Sequence, residues 1–253
     1  MTVSKTPGAP CWVDLLTTDT AAAARFYAAV LGWTAGEASS EFGGYFMMFR
    51  DGEPVAGVMP ANAPDDPSSW TVYLETPDLA ATVARAQQAG GMVVMGPIDI
   101  DTMGAMAVVI DPTGAAVGAW QPHEFEGFAV RAQDGAPAWF EVLSPDYPTS
   151  VAFYRDVFGW QPHTMSDTPE FRYTTLGEGY DAMAGVMDVA GQPDAQTRWH
   201  FYVQVPDVDA ACERAAAAGG GVTTPAVDTP YGRVAVLRDP TGAQLSVMKP
   251  PVR

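Results

Sequence analysis

The 253-residue sequence predicts an α+β fold of four βαβββ units, set out as two tandem halves with curled mixed sheets. Three observations carry that prediction. Residues 9–33, APCWVDLLTTDTAAAARFYAAVLGW, recur as residues 136–160, APAWFEVLSPDYPTSVAFYRDVFGW, matching at ten of 25 positions at an offset of 127. Each half then shows two strand–helix openings followed by strand-like runs. An Asp-Pro-Thr-Gly turn precedes the last strand of each half, at 111–114 and 239–242. A repeat of this length sets the architecture before any single residue is weighed.

Residues 1–9 read as a loose tail. Residues 11–18 alternate apolar and polar and form a strand. Asp19 or Thr20 caps a helix over 21–31, which Gly32 ends. A short strand falls near 34–38. Residues 45–50 and 54–59 make a hairpin about Asp51-Gly52. A Pro/Asp/Ser loop at 61–69 leads to a strand at 70–76 and a helix at 79–89, closed by Gly90-Gly91. Strands follow near 92–95, 105–110 and 116–121, the last two joined by the first Asp-Pro-Thr-Gly turn. Residues 121–135, QPHEFEGFAVRAQDG, read as the linker, placing the domains at 1–122 and 136–253 with 123–135 between them. The second half repeats the pattern: strand 139–144, helix 148–158, hairpin 171–176 and 182–188, strand 199–205, helix 208–218, and strands 234–238 and 243–248.

Composition narrows the function classes. A hydrophobic share of 47% supports real cores. The net charge of −17, with 13 basic residues, makes a nucleic-acid partner unexpected, because phosphates repel such a surface. No apolar run is long enough for a membrane span. The first residues lack the basic-then-apolar order of a secretory signal, so a cytoplasmic location is expected. Cys11 and Cys212 stand outside any CxxC pair and read as small apolar residues.

Strand parity selects the candidate site. In the opening strands Val13 and Leu15 oppose Trp12 and Asp14, and Phe140 and Val142 oppose Trp139 and Glu141. In the second units Val72 and Leu74 oppose Thr71 and Tyr73, and Phe201 and Val203 oppose His200 and Tyr202. One face is uniformly apolar and belongs under helices. The other gathers acid, phenol, imidazole and indole groups on the concave side, a lining suited to a small molecule. The expected substrate-binding residues are Trp12, Asp14, Thr71, Tyr73, Trp139 and Tyr202. Glu141 and His200 are the expected catalytic pair, because a histidine beside a carboxylate suits proton transfer. The alternative is that Trp12 and Trp139 simply fill the interior, as side chains do in small barrels. Asp111 and Asp239 read as structural turn residues.

The strand-Asp-helix-Phe-Tyr-Gly-Trp opening, the helix-Gly-Gly exit and the two Asp-Pro-Thr-Gly turns resemble the vicinal oxygen chelate superfamily, the glyoxalase, bleomycin-resistance and extradiol-dioxygenase group. The resemblance spans roughly 9–122 and 136–249 and points to a two-domain, actinobacterial, glyoxalase-like subgroup, some of whose members are labelled hydroxylases. It implies two glyoxalase-like domains, each an incomplete barrel around a pocket. It also implies where a divalent ion would sit in metal-dependent members: Trp12, Thr71, Trp139 and His200 on opening strands, and Gly57, Gly118, Gly185 and Ser246 on last strands. Only His200 in that set is a good ligand. The expectation is therefore no metal cofactor, with a weak divalent ion at Glu141 and His200 as the alternative.

Two functions compete on these grounds. The first is binding of a hydrophobic or aromatic small molecule, in secondary metabolism or antibiotic resistance. The second is a metal-dependent lyase or hydroxylase of the glyoxalase or dioxygenase type, acting through the second half. Two complete unit pairs allow a monomer or a homodimer.

Overall fold

Four aspartates start the four helices of the computed structural model, which describes residues 6–63, 65–192 and 197–251. The first five residues of the expected tail, and residue 64 of the loop at 61–69, lie outside the described residues. The first unit runs β1 (Pro10–Thr17), α1 (Thr20–Leu31), β2 (Thr34–Ala35), β3 (Phe46–Arg50) and β4 (Glu53–Pro60). The second runs β5 (Ser69–Glu75), α2 (Leu79–Gln88), β6 (Met92–Ile100), β7 (Gly104–Ile110) and β8 (Ala116–Pro122). The third comprises β9 (Pro137–Ser144), α3 (Tyr147–Phe158), β10 (Pro162–Asp167), β11 (Arg172–Leu176) and β12 (Ala184–Asp188). The fourth comprises β13 (Arg198–Gln204), α4 (Val208–Ala217), β14 (Gly221–Thr229), β15 (Gly232–Arg238) and β16 (Gln244–Lys249).

Local chemistry explains the element ends. The Asp19, Asp78, Asp146 and Asp207 side chains accept from the backbone N–H of the third residue of α1, α2, α3 and α4 respectively, each cap contributing about 1 kcal/mol. Gly32 and Gly159 end α1 and α3 in the left-handed conformation, at φ 73° and 72°. At the β3–β4 turn, Asp51 and Gly52 both take positive φ, as the shortest hairpin turn requires.

Each half is one open sheet of eight strands, in the order β2-β3-β4-β1-β5-β8-β7-β6 and its repeat β10-β11-β12-β9-β13-β16-β15-β14. The two units of a half join through antiparallel pairing of their opening strands, β1 with β5 and β9 with β13. The strands β10 and β14 fall outside the expected elements, and β2 is shorter than expected. β6, expected near 92–95, continues to Ile100 through Gly96-Pro97. Register shifts between Val93 and Met95 and between Met95 and Ile98 absorb the two residues. The strand lies at the sheet edge, where a missing N–H is tolerated.

The apolar faces of the two sheets meet. Val13, Leu15, Phe140, Val142, Phe201 and Val203 are buried. Phe201 packs against Trp70 and Phe140, with ring centroids 5.0 and 6.2 Å apart. Helices pair across the halves beside this layer, α1 with α4 and α2 with α3. No helix among the described residues is long and apolar enough to cross a membrane.

The repeated motif forms the joint between the halves. Tyr27 donates to Asp239 at 3.0 Å and Tyr154 to Asp111 at 2.8 Å. Trp33 donates to the Gly135 carbonyl at 2.6 Å and Trp160 to the Gly8 carbonyl at 2.9 Å. Phe26 lies against Gly220, and Phe153 against Gly91, where a Cβ would crowd the ring. Asp111 and Asp239 are structural, as expected. The other oxygen of each accepts from the N–H and hydroxyl of the turn threonine and from the N–H two residues beyond it.

Candidate functional site

The outward face of each open sheet, its cup, carries an acid held by phenols. In the first cup Asp14 Oδ1 accepts from Trp12 Nε1 at 2.9 Å and from the Tyr45 hydroxyl at 3.0 Å. Tyr73 stands across the β1–β5 ladder, opposite Trp12, and Thr71 opposite Asp14. Trp12 is buried, and residues beyond β8 cover it: Phe125 and Phe128 lie 4.8 and 5.4 Å from its ring. Part of the segment read as linker is therefore a wall of this cup.

The second cup repeats the plan with a longer acid. Glu141 accepts from Tyr173 at 2.6 Å and from Tyr202 at 2.7 Å, one phenol on each oxygen. Trp139, only half-buried, donates to the Tyr173 hydroxyl at 2.8 Å. His200 pairs with Glu141 across the ladder, yet its Nε2 bonds Ser246 at 2.6 Å. The expected Glu141–His200 pair is thus brought side by side, with each side chain hydrogen-bonded to other partners. Tyr45 and Tyr173 are functional candidates that strand parity alone did not find.

Electrostatics separate these groups further. Burial raises the Asp14 carboxyl from 3.8 to about 6, against hydrogen bonds from Tyr45, Trp12 and Tyr73 that lower it. Burial, and then the charge of Arg198, push the His200 imidazole down to about 3. Burial thus favours the neutral imidazole near pH 7, with Nε2 hydrogen-bonded to Ser246. Burial followed by the Glu141 charge holds the Tyr173 and Tyr202 phenols above their ordinary range, so both remain donors.

The Asp14 shift has a definite sign. Its raised value means that keeping the carboxylate charged opposes folding above about pH 6, and that this cost vanishes below about pH 4. Asp14→Asn is expected to stabilise the fold by about 1–2 kcal/mol at pH 7.5, the shift being discounted for the partial exposure of the residue. The advantage should disappear by pH 4. Urea unfolding at both pH values checks this; an equal difference at the two would remove the assignment.

Glycines make room for the phenols. A Cβ on Gly57 would overlap the Tyr45 hydroxyl and the Asp14 carboxylate, and one on Gly185 would overlap Tyr173. One on Gly118 would overlap the Tyr73 ring. Among the described residues no group of three or more His, Cys, Asp and Glu side chains converges as a metal site.

Other candidates fall outside the cups. An open cleft of about 310 Å³ lies at the joint, between Arg50, Gly135 and Arg214, and another of about 290 Å³ lies between α3 and Arg172. Neither is lined by Asp14 or Glu141. His123 is exposed, and His163 lies 4.0 Å from Glu178 at the surface. Cys11 is buried, and burial raises its thiol far from the reactive range.

A family model described as Glyoxalase/Bleomycin resistance protein/Dioxygenase superfamily matches residues 11–118 and 136–247. The chain belongs to this superfamily. Within the glyoxalase superfamily it is 39% identical over 249 residues to "Putative glyoxylase CFP32" of Mycobacterium tuberculosis, covering 96% of this chain and 95% of that one. It is 37% identical to "Anthracycline biosynthesis protein DauV" of Streptomyces sp. strain C5, covering 96% of this chain and 94% of the other. Among solved structures, the Mn(II)-bound glyoxalase from Novosphingobium aromaticivorans superposes with a TM-score of 0.66 at 14% identity, over 96% of this chain and 82% of that chain. That last likeness establishes the superfamily fold alone.

Proposed function

We propose that this glyoxalase-superfamily protein binds a hydrophobic or aromatic small molecule in its second cup, without a divalent ion, in secondary metabolism or antibiotic resistance. The observation that carries it is the Glu141 carboxylate held between two phenols beside a half-exposed indole. Trp139 offers an apolar face, and Glu141, Tyr173 and Tyr202 offer a cluster that can exchange internal hydrogen bonds for bonds to ligand hydroxyl or carbonyl groups. Neutral His200 with Ser246 supplies one more hydrogen-bonding point. Any proton taken from a ligand hydroxyl falls to Glu141. Relatives named for anthracycline biosynthesis support a planar ligand with oxygen substituents.

The donor set does not fit a divalent ion. Such an ion needs three or four hard or borderline donors with open lone pairs. Here both Glu141 oxygens accept phenols, His200 Nε2 is engaged by Ser246, and Gly57, Gly118 and Gly185 support tyrosines in place of ligands. A metal-dependent lyase or hydroxylase remains the second reading on one observation, the cross-strand register of Glu141 and His200.

Fluorescence titration with 1,8-dihydroxyanthraquinone tests the proposal. Saturable quenching is expected, unchanged by EDTA and at least about tenfold weaker in Glu141→Gln, the loss of one charge-assisted hydrogen bond. Absence of saturable binding would overturn it. Binding or turnover that chelator abolishes, with stoichiometric metal in the purified protein, would establish the second reading.

A further inference from the structure

The two ends of the second sheet touch. Its strand order puts β11 second from one end and β15 second from the other, five strand spacings apart. A flat sheet would hold those strands about 24 Å from each other. Phe171 comes one residue before β11 and Tyr231 one residue before β15, yet their ring centroids are 6.4 Å apart. Phe171 also stacks on Tyr173, two residues along, at 5.5 Å, and Tyr173 donates to Glu141. Phe171 therefore stands on the face that carries Glu141, and the ends of the sheet meet across that face. A line of rings, Tyr231, Phe171 and Tyr173, crosses the second cup and ends on its acid.

The backbone on each side of this contact is held. The Phe171 N–H donates to the Thr168 carbonyl at 3.2 Å, and its carbonyl accepts from the Ser166 hydroxyl at 2.8 Å. The Tyr231 N–H donates to the Thr229 hydroxyl at 3.1 Å, and that hydroxyl donates to the Gly232 carbonyl at 2.7 Å. Tyr231 itself is 56% exposed. One aromatic pair at the surface is a weak attachment, and exposed side chains change rotamer in picoseconds to nanoseconds. Tyr231 can therefore swing off Phe171 while its backbone stays in place.

The first half closes differently. Met103 precedes Gly104 as Tyr231 precedes Gly232, and Gly43 stands two residues before Tyr45 as Phe171 does before Tyr173. Neither ring is repeated. Instead the N–H groups of His123 and Phe125 donate to the Met103 carbonyl, and that of Glu124 to the Thr102 carbonyl. A strap of chain holds the first turn, where a ring contact holds the second.

We propose that Tyr231 and Phe171 are a gate on the second cup: in contact they close it, and a ligand passes when Tyr231 rotates away. The passage of ligand rests on the second cup being the binding site; the opening and closing of the gate does not.

Acrylamide quenching of the ligand-free protein tests the gate, with the half-buried Trp139 beside Tyr173 as reporter. The sequence has 7 tryptophans, so the Trp139 signal is taken as the difference from a Trp139→Phe partner in each background. Tyr231→Ala is expected to raise its quenching constant at least about twofold, the effect of releasing one weak aromatic pair. Tyr231→Phe, which keeps the ring, should leave it unchanged. In stopped-flow mixing with 1,8-dihydroxyanthraquinone, Tyr231→Ala should speed association and dissociation alike, by about two- to tenfold, with Kd held within about twofold. Unchanged quenching in Tyr231→Ala would overturn the gate. Faster dissociation alone would also overturn it, by making Tyr231 part of the binding wall. Raised quenching without any binding of the dye would uphold the gate and overturn the second-cup reading instead.

Discussion

Changing Tyr27 and Tyr154 together to phenylalanine is expected to lower the unfolding free energy by about 3–6 kcal/mol, because each change removes the donor to one oxygen of a buried carboxylate and the acceptor of an indole N–H. Tyr27 donates to Asp239 and accepts from Trp70 at 3.1 Å; Tyr154 donates to Asp111 and accepts from Trp199 at 2.8 Å. The phenyl rings would still fill the same space, so the loss reports hydrogen bonding rather than packing. Each single change should cost about half the total, since the two environments repeat each other. Equilibrium urea unfolding of the two single variants and the double measures it. A double variant within about 1 kcal/mol of the parent would show that these bonds contribute little.

The second large effect is expected at Gly185. An alanine there places a methyl group where the Tyr173 hydroxyl lies, so the phenol must leave Glu141. Overpacking at a rigid strand position costs about 2–3 kcal/mol. The displaced phenol also uncovers one Glu141 oxygen and frees Trp139 Nε1, which donates to it. Ligand affinity at the second cup should fall by at least about tenfold. A crystal structure of Gly185→Ala with Tyr173 unmoved, or unchanged stability, would contradict the role given to the bare Cα. Gly159 provides the contrast: a Cβ there meets nothing, and only its positive φ opposes substitution.

Much of this arrangement could be read from the chain. Alternation put Val13 and Leu15 on one face and Trp12 and Asp14 on the other, and the sheets keep that division. The four capping aspartates and the helix-ending glycines announced themselves locally. What local patterns cannot carry is partnership. The Phe-Tyr and Gly-Trp pairs looked like features within one helix, yet their side chains reach residues 43 to 212 positions away, outside their own unit. Tyr45 lay inside the expected hairpin strand, yet nothing local reveals that its target, Asp14, is on another strand. A signal was present: Gly57 and Gly185, each inside an Ala-Gly-Val-Met run, required something to approach a bare Cα. The neutral state of His200 depends on burial, which alternation does not report.

The reciprocal joint has a consequence for how the two copies can change. Each copy supplies the tyrosine and tryptophan that satisfy the other, so neither completes its own hydrogen bonding, and the chain is one cooperative object despite its doubled sequence. That shared joint ties the inner sides of the two halves together. Positions on the outer side, such as 71 against 200, differ between the copies while the frame is kept. Duplication here acts as a division of labour: one interface holds the shape, and two separate surfaces are left to specialise.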